Sequence, residues 1–157
     1  GEKPWRGLHE LLNEKEHGRL EFEESLCEET KRKSSFDGIV KSVVGFANTD
    51  GGEILLGVSD AGSVVGIDKL IRKNGNKDKL ELSVRNALRS SIDGAVDKLC
   101  RMRFETLDDR TVLRIEVETS NQQIFTKQRG EFYIRDGNQT LALTPKEYAH
   151  RNRNDDT

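Results

Sequence analysis

The clearest hydrophobic pattern in the chain lies between residues 36 and 47. Ser35 is a suitable N-cap for a helix there, and Gly51-Gly52 follow its expected end. A second pattern with helical spacing runs from Leu80 to Ser91 and predicts another amphipathic helix. In the first helix, the apolar residues recur at intervals of three and four and so share one face: Phe36, Ile39, Val40, Val43, Val44 and Ala47.

Shorter stretches alternate apolar and polar residues, as half-buried strands do. Leu20 and Phe22 alternate with Glu21 and Glu23, so the apolar pair and the acidic pair point to opposite faces. Residues 53–58 form a nearly continuous apolar run, which is typical of a strand buried on both faces. A strand at residues 64–67 is predicted to pair with that run. Two further hairpins are predicted, one over residues 102–117 with its turn at Asp108-Asp109 and one over residues 132–143 with its turn at 136–138.

Both ends of the chain carry short helical signals. Apolar residues have helical spacing between Trp5 and Leu12, and Thr144-Pro145 with Glu147 form a capped helix start. The fold class that these elements predict is α+β, with a mainly antiparallel sheet and two main helices. The predicted organisation is an N-terminal helix or extension over residues 1–15, one domain over 16–150, and a disordered polar tail over 151–157.

The charge balance limits the kind of partner. The chain has 157 residues, with 26 lysines and arginines against 28 acids and a net charge of -2. A uniformly basic coat for nucleic acid is therefore excluded, and any such binding needs a local patch. Cys27 and Cys100 lie far apart, which excludes a disulfide framework and a cysteine-based zinc site. No long apolar run or secretion signal is visible, so we expect an intracellular protein, cytoplasmic or nuclear.

Acidic residues form the first candidate site. Glu16, Glu21, Glu23 and Asp60 lie on or beside predicted strands, and carboxylates that converge from different elements suit Mg²⁺ or Mn²⁺. Such an ion polarises a phosphate and activates water for phosphodiester cleavage. The alternative is a solvated acidic strand face in a sequence that is 34% charged.

Basic and glycine-bearing segments form two further candidates. Lys31, Arg32 and Lys33 are consecutive, and Arg135 ends an apolar strand, where a guanidinium usually has an assigned anion partner. These residues either track phosphate or simply solubilise the surface. The backbone amides of residues 48–52 either cradle an anion or make a tight turn from a helix into a strand.

Three segments together resemble one family, the Schlafen-type AlbA-like domain. The first is Glu16-x-x-x-x-Glu21-Phe22, and the second runs from Gly45-Phe46-Ala47-Asn48 through Gly51-Gly52 to Gly57-Val58-Ser59-Asp60. The third contains Tyr133-Ile134-Arg135 and Gly137-Asn138-Gln139-Thr140. Their order and separations match the family over roughly residues 16–145, which is most of the chain.

The resemblance implies an α/β domain described as DNA-binding. In animal Schlafens two such lobes pair around a basic valley that holds tRNA, and three acids form a metal-dependent endoribonuclease site. Carried over by motif position, the first two acids are Glu16 and Glu21, and the third is Asp60 unless the register selects Ser59. Glu23 stands where the motif has lysine, which adds either a further ligand or a charge that repels RNA.

Three hypotheses follow for function. The first is a domain that binds RNA or DNA, with Mg²⁺- or Mn²⁺-dependent cleavage by Glu16, Glu21 and Asp60 and phosphate contacts from residues 31–33 and Arg135. This hypothesis also predicts that the domain forms a homodimer or pairs with a second similar lobe. The second is a non-catalytic DNA-binding module of a larger regulator or ATPase, and the third is a protein-interaction domain.

Overall fold

The computed structural model describes residues 3–25 and 36–155. The helices are α1 (Leu8–Glu14), α2 (Asp37–Ala47), α3 (Asp68–Asn74), α4 (Lys77–Ser91), α5 (Val96–Leu99) and α6 (Pro145–Asp155). The strands are β1 (Leu20–Glu23), β2 (Gly52–Leu56), β3 (Ile92–Asp93), β4 (Cys100–Leu107), β5 (Arg110–Val117), β6 (Phe125–Thr126), β7 (Phe132–Asp136) and β8 (Gln139–Leu143).

A four-stranded sheet in the order β1-β2-β5-β4 forms the centre of the fold. β1 and β2 are parallel, with Leu20 opposite Glu53, and the other pairs in this sheet are antiparallel. β3 pairs with β6 and β7 pairs with β8, both antiparallel. The predicted α+β class with a mainly antiparallel sheet is therefore confirmed.

The sheet has two unlike faces. α2 and α4 pack on one face, whose core includes Val43, Ile54 and Ile115. α1 packs on the other face, where Leu20 and Leu55 belong to a smaller cluster. Because side chains alternate along a strand, the burial of Leu20 on the α1 side turns the neighbouring acids of β1 toward α2.

The predicted strand at 64–67 is wrong. Only an isolated bridge joins Val58 to Val64. The amides of Val65 and Gly66 both donate to the carbonyl of Gly57, at 2.8 and 2.9 Å, so the chain curls around that residue instead of extending. The turn needs glycine, because the φ angle of Gly57 is +107° and that of Gly66 is +86°.

The two ends of the chain pack onto the domain. Leu8 and Leu11 of the predicted 1–15 extension are buried against the sheet. Thr144 and Glu147 form the predicted capping box, because each amide donates to the other side chain. Within the predicted disordered tail at 151–157, residues 151–155 are helical, because α6 continues to Asp155, and residues 156–157 lie outside the described residues. Arg151 donates to the carbonyl of Asn48 at 3.2 Å, which holds that end against the domain.

Among the residues that the structure describes, we find no helix of the length and apolarity needed to cross a bilayer.

Candidate functional site

The parallel pairing of β1 and β2 brings the segments that carry the predicted acids to one edge of the sheet. The carboxyl ends of β1 and β2 lie at the same edge of the sheet. The carbonyl of Glu23, at the end of β1, accepts hydrogen bonds from the amides of Gly57 and Val58 at 2.7 and 3.2 Å. This contact ties β1 to the turn after β2 that contains Ser59 and Asp60.

Glu16 approaches β1 from the loop after α1. Its Oε1 accepts a hydrogen bond from the backbone amide of Phe22 at 3.0 Å. One oxygen of this carboxylate is therefore already used to fix the loop on the strand.

Glu21 is the centre of the group. It is half-buried and forms an ion pair with Nη1 of Arg135. Burial raises the pKa of Glu21, and the Arg135 contact opposes this effect. The negative charges of Glu16 and Asp60 raise that pKa further. Glu16 and Asp60 thus both lie close enough to Glu21 to act on it electrostatically.

Arg135 connects the β7–β8 hairpin to β1. Its Nη2 donates to the carbonyls of His17 at 2.9 Å and Leu20 at 3.0 Å, and its Nη1 also reaches Thr140 Oγ1 at 3.2 Å. The side chain is 1% exposed. Its described partners all lie within the protein, and the predicted contact of Arg135 with phosphate stays a prediction.

The remaining surroundings of Arg135 are apolar. The guanidinium lies 4.9 Å from the centre of the Phe46 ring, and its buried Nε has no hydrogen-bond partner among the described residues. A buried donor without a partner weakens the gain from the ion pair. This arginine is therefore held less completely than its burial suggests.

The acids do not fit a divalent cation as the structure holds them. Within residues 3–25 and 36–155 no three acid, histidine or cysteine side chains are arranged to hold a metal ion. The ion pair with Arg135 occupies Glu21, and the Phe22 amide occupies one oxygen of Glu16. Asp60 is exposed, whereas Ser59 Oγ accepts from the Ser63 amide at 3.2 Å. The metal role of Glu16, Glu21 and Asp60, and the choice between Asp60 and Ser59, stay predictions.

The glycine-bearing turn after α2 has a structural role. Nδ2 of Asn48 donates to the carbonyls of Ile124 and Tyr133, both at 2.9 Å, and its Oδ1 accepts from the Ile124 amide at 2.8 Å. Thr49 Oγ1 accepts from the Arg135 amide at 3.0 Å. The turn therefore joins α2 to β7 and to the loop before β6.

Basic residues gather at a place that sequence reasoning missed. Lys31, Arg32 and Lys33 lie outside the described residues, so their predicted phosphate contacts stay predictions. Between residues 68 and 79, five bases stand against two acids, a formal charge of +3. We call the exposed cations of this segment the α3–α4 basic surface: Lys69, Arg72, Lys73, Lys77 and Lys79. A running sum of charge along the chain would have found it.

A cavity of about 720 Å³ lies away from the predicted acids, between the N-terminal segment and the start of β2. Its lining mixes cations such as Arg6 and Arg19 with acids such as Glu53 and Glu116. Five acids and three lysines or arginines line it, so its lining is not cationic.

Comparison with known proteins identifies the family. The sequence model of the family described as "Schlafen, AlbA_2" matches residues 16–144, most of the chain. The chain belongs to the Schlafen AlbA_2 family. The match spans both the acids at the edge of β1 and β2 and Arg135, and this AlbA_2 domain matches no curated protein in sequence.

Two solved structures share the fold of this AlbA_2 domain. The DIP2311 protein of Corynebacterium diphtheriae is 18% identical with a TM-score of 0.63, covering 93% of this chain. The chain spans only 27% of that protein. The second is the N-terminal domain of a Nitrosomonas europaea protein whose name relates it to the ATP-dependent DNA helicase RecG. It is 20% identical with a TM-score of 0.54, covering 80% of this chain and 84% of that domain.

Proposed function

We propose that this AlbA_2 domain binds nucleic acid and that the α3–α4 basic surface contacts the phosphate backbone. The observation that carries the proposal is the concentration of five exposed cations between residues 69 and 79, in a chain whose net charge is -2. Affinity for nucleic acid comes largely from neutralised phosphates, so a local cationic surface serves where the whole protein is slightly acidic.

The cations of this surface stand on an ordered frame. The Asp68 carboxylate accepts from the Thr111 amide at 3.0 Å and from Thr111 Oγ1 at 2.9 Å, which fixes α3 to β5. Asn76 caps α4 by accepting from the Lys79 amide at 2.8 Å. Positions fixed in this way limit the conformational entropy that binding must remove.

The comparisons support the same function at a coarser level. The family name is Schlafen AlbA_2, and one protein of the same fold takes its name from a DNA helicase. Both names support a domain that associates with nucleic acid. The proposal covers RNA and DNA alike, because phosphate contacts carry no sequence information.

The test measures binding to a fluorescent tRNA and to a DNA duplex at several salt concentrations. In the wild-type domain, affinity falls steeply as salt rises. The double variant Arg72→Gln/Lys73→Gln weakens binding at least about tenfold at low salt and lowers the salt slope by about 1 for each phosphate contact removed.

The matched control removes two cations elsewhere. Lys127 and Lys146 are exposed and lie outside the α3–α4 basic surface. Lys127→Gln/Lys146→Gln changes the net charge equally and leaves affinity within about twofold of wild type. Equal losses in both double variants would show that only net charge matters and would refute the assigned surface.

A second candidate function is metal-dependent RNA cleavage. The observation that favours it is that Glu16 is bonded to β1, which carries Glu21, while the end of β1 is bonded to the turn before Asp60. Glu21 is bound to Arg135 and would have to leave this ion pair in order to hold a metal ion. Incubation of tRNA with Mn²⁺ or Mg²⁺ tests the idea: cleavage by wild type that Glu21→Ala abolishes supports it. No cleavage, or equal cleavage by both proteins, leaves a non-catalytic binding module.

A further inference from the structure

The central sheet ends in an open edge strand. β4 has 8 residues and is the last strand in the sheet order. Among the described parts of the chain, β4 pairs on one side only, with β5. The other side of β4 therefore presents backbone groups that can pair with a further strand.

The turn between β4 and β5 shows which backbone groups face outward. This two-residue turn, at 108–109, has φ angles of +52° and +61°, and Leu107 pairs with Arg110 across it. In such a turn the flanking pair is hydrogen-bonded, and bonded pairs then alternate along the ladder. The odd-numbered residues of β4 therefore bond to β5. The even-numbered residues direct their amides and carbonyls outward: Met102, Phe104 and Thr106.

On the side of the sheet that carries α4, the edge has an apolar margin. The side chains of Met102 and Phe104 pack against the main core but are only half-buried. Lys77 Nζ lies 6.0 Å from the ring centre of Phe104, so a cation stands beside this margin. Apolar side chains from a further strand would remove both residues from water, which is favourable.

On the opposite side of the sheet, Arg103 is loosely paired within the protein. Its Nη2 lies 3.8 Å from Oε1 of Glu105, which is too far for a hydrogen bond, and the buried Arg114 binds that same oxygen at 3.0 Å. The side chain of Arg103 is 47% exposed, and its guanidinium lies 5.7 Å from the centre of the Trp5 ring. A carboxylate from outside would therefore pair with Arg103 without taking a hydrogen bond from any described residue.

We propose that β4 binds an extended peptide segment of another protein as a further strand of the central sheet. The segment alternates apolar residues with acidic ones. Its apolar side chains pack on Met102 and Phe104, and an acidic side chain lies opposite Arg103, because cross-strand neighbours interact through their side chains. Backbone hydrogen bonds supply the affinity, and the alternating side chains supply the selectivity.

Backbone chemistry and charge favour this occupant over others. The outward row of β4 carries both amide donors and carbonyl acceptors, which a peptide backbone matches and a phosphate backbone does not. A basic segment would meet Arg103 and Lys77 as like charges, and like charges opposite each other destabilise a strand pair. The exposed acids at 108–109 direct the acidic part of the segment toward Arg103 and away from the turn. Because only one strand is buried, we expect weak and reversible binding.

Two labelled peptides test the chemistry of the partner on the full chain. Both are short and contain valine at every second position, with glutamate between the valines in one peptide and lysine in the other. By fluorescence anisotropy, wild type should bind the glutamate peptide at least about fivefold more tightly than the lysine peptide. Arg103→Glu should abolish this preference, whereas Arg129→Glu, the same change on an exposed arginine before β7, should retain it. Binding of neither peptide, equal binding of both, or a preference that survives Arg103→Glu would refute the proposed partner.

Amide hydrogen exchange, measured by NMR, tests the position of the peptide. In the free domain the outward amides of Met102, Phe104 and Thr106 should exchange quickly, while β5 already protects those of Arg103 and Glu105. The glutamate peptide should slow the three outward amides at least about tenfold. Bound peptide without this slowing would overturn the position. Outward amides that are slow in the free domain would also overturn the proposal, and slowing that appears only at high protein concentration would identify a second copy as the occupant.

A proline substitution tests the backbone contribution. Thr106→Pro should weaken binding of the glutamate peptide at least about fivefold, because proline removes an outward amide and spares the bonds to β5. A thermal melt near that of wild type shows that this variant is folded; if it unfolds, the exchange measurement decides the point. Unchanged affinity in folded Thr106→Pro would refute strand pairing. No nucleic acid is present in these experiments, so their outcome is independent of whether the α3–α4 basic surface binds it.

Discussion

Two buried arginine–glutamate pairs lie on opposite faces of the same sheet and differ in how completely they are satisfied. Arg114 on β5 pairs with Glu53 on β2, and these side chains are 1% and 8% exposed. Arg135 on β7 pairs with Glu21 on β1, and these are 1% and 18% exposed. Burial raises the pKa of both glutamates.

The surroundings of the two pairs explain the difference. Arg114 also binds Glu105 at 3.0 Å and the carbonyl of Arg6 at 2.7 Å, and the Trp5 ring lies 5.1 Å from its guanidinium. In the described part of the chain, the buried Nε of Arg135 has no hydrogen-bond partner, and Glu21 is more exposed than Glu53. Two further acids raise the pKa of each glutamate alike. The first pair is closed off from water, while the second leaves the Glu21 side chain 18% exposed.

Removing Arg114 should be the most damaging single change. Arg114→Met leaves the Glu53 carboxylate buried without its partner, which costs about 3–5 kcal/mol of unfolding free energy. Urea denaturation at pH 7 measures the loss. Arg89→Met, on an arginine that is exposed on α4, should change stability by less than about 0.5 kcal/mol. A loss under about 1 kcal/mol for Arg114→Met would mean that the Arg114–Glu53 pair is not isolated from water.

Removing Arg135 should cost less, because water can reach Glu21. We expect Arg135→Met to lower the unfolding free energy by about 2–3 kcal/mol, through loss of the ion pair and of the bonds to two carbonyls. Arg135→Lys should recover less than half of the loss, because an ammonium cannot make the same forked contacts. Urea denaturation of both variants and of Arg114→Met measures the order of the losses in unfolding free energy. A greater loss for Arg135→Met than for Arg114→Met would contradict the comparison.

The pH dependence of stability should reflect both glutamates. Because their pKa values are higher in the folded than in the unfolded protein, the folded state binds more protons just above the ordinary glutamate range. The stability from these groups is therefore present at low pH and declines as pH rises through the folded pKa values, by at most about 1.4 kcal/mol per pH unit for each group. Glu53→Gln and Glu21→Gln should each remove part of the decline, measured by urea denaturation between pH 4 and 8. An unchanged slope in both variants would contradict the raised pKa values.

The sequence predicted the elements well where one residue pattern decides the structure. The spacing from Phe36 to Ala47 identified α2, and Thr144 with Glu147 identified the start of α6. The prediction of a strand at residues 64–67 was wrong, because these apolar residues form a turn around Gly57. No periodicity in the sequence reveals this turn. The glutamate partners of Arg114 and Arg135 were equally hidden, since Glu53 and Glu21 lie 61 and 114 positions away from them in the sequence.

The sequence singled out Glu21 and Arg135 but did not indicate how they are arranged. Alternation on β1 placed Glu21 on the polar side, and the motif drew attention to Arg135. Nothing in the spacing indicated that these two would bind each other. The α3–α4 basic surface was missed for another reason: its cations are spread over two helices, and no consecutive run of bases marks them.

The smallest expected effect is a change in the pKa of one glutamate, and it should distinguish Glu21 from Glu53 most clearly. Asp60→Asn removes one of the negative charges that raise the pKa of Glu21, while Asp60 is not among the charges that act on Glu53. The pKa of Glu21 should therefore fall and that of Glu53 should stay unchanged, which carbon-detected NMR titration in metal-free buffer measures residue by residue. Asp93→Asn, an equally conservative change on an exposed acid, should move neither. If Asp60→Asn left Glu21 unmoved, the turn after β2 would lie too far from β1 to share a site with it, and the acids would have to be regarded as separate surface charges.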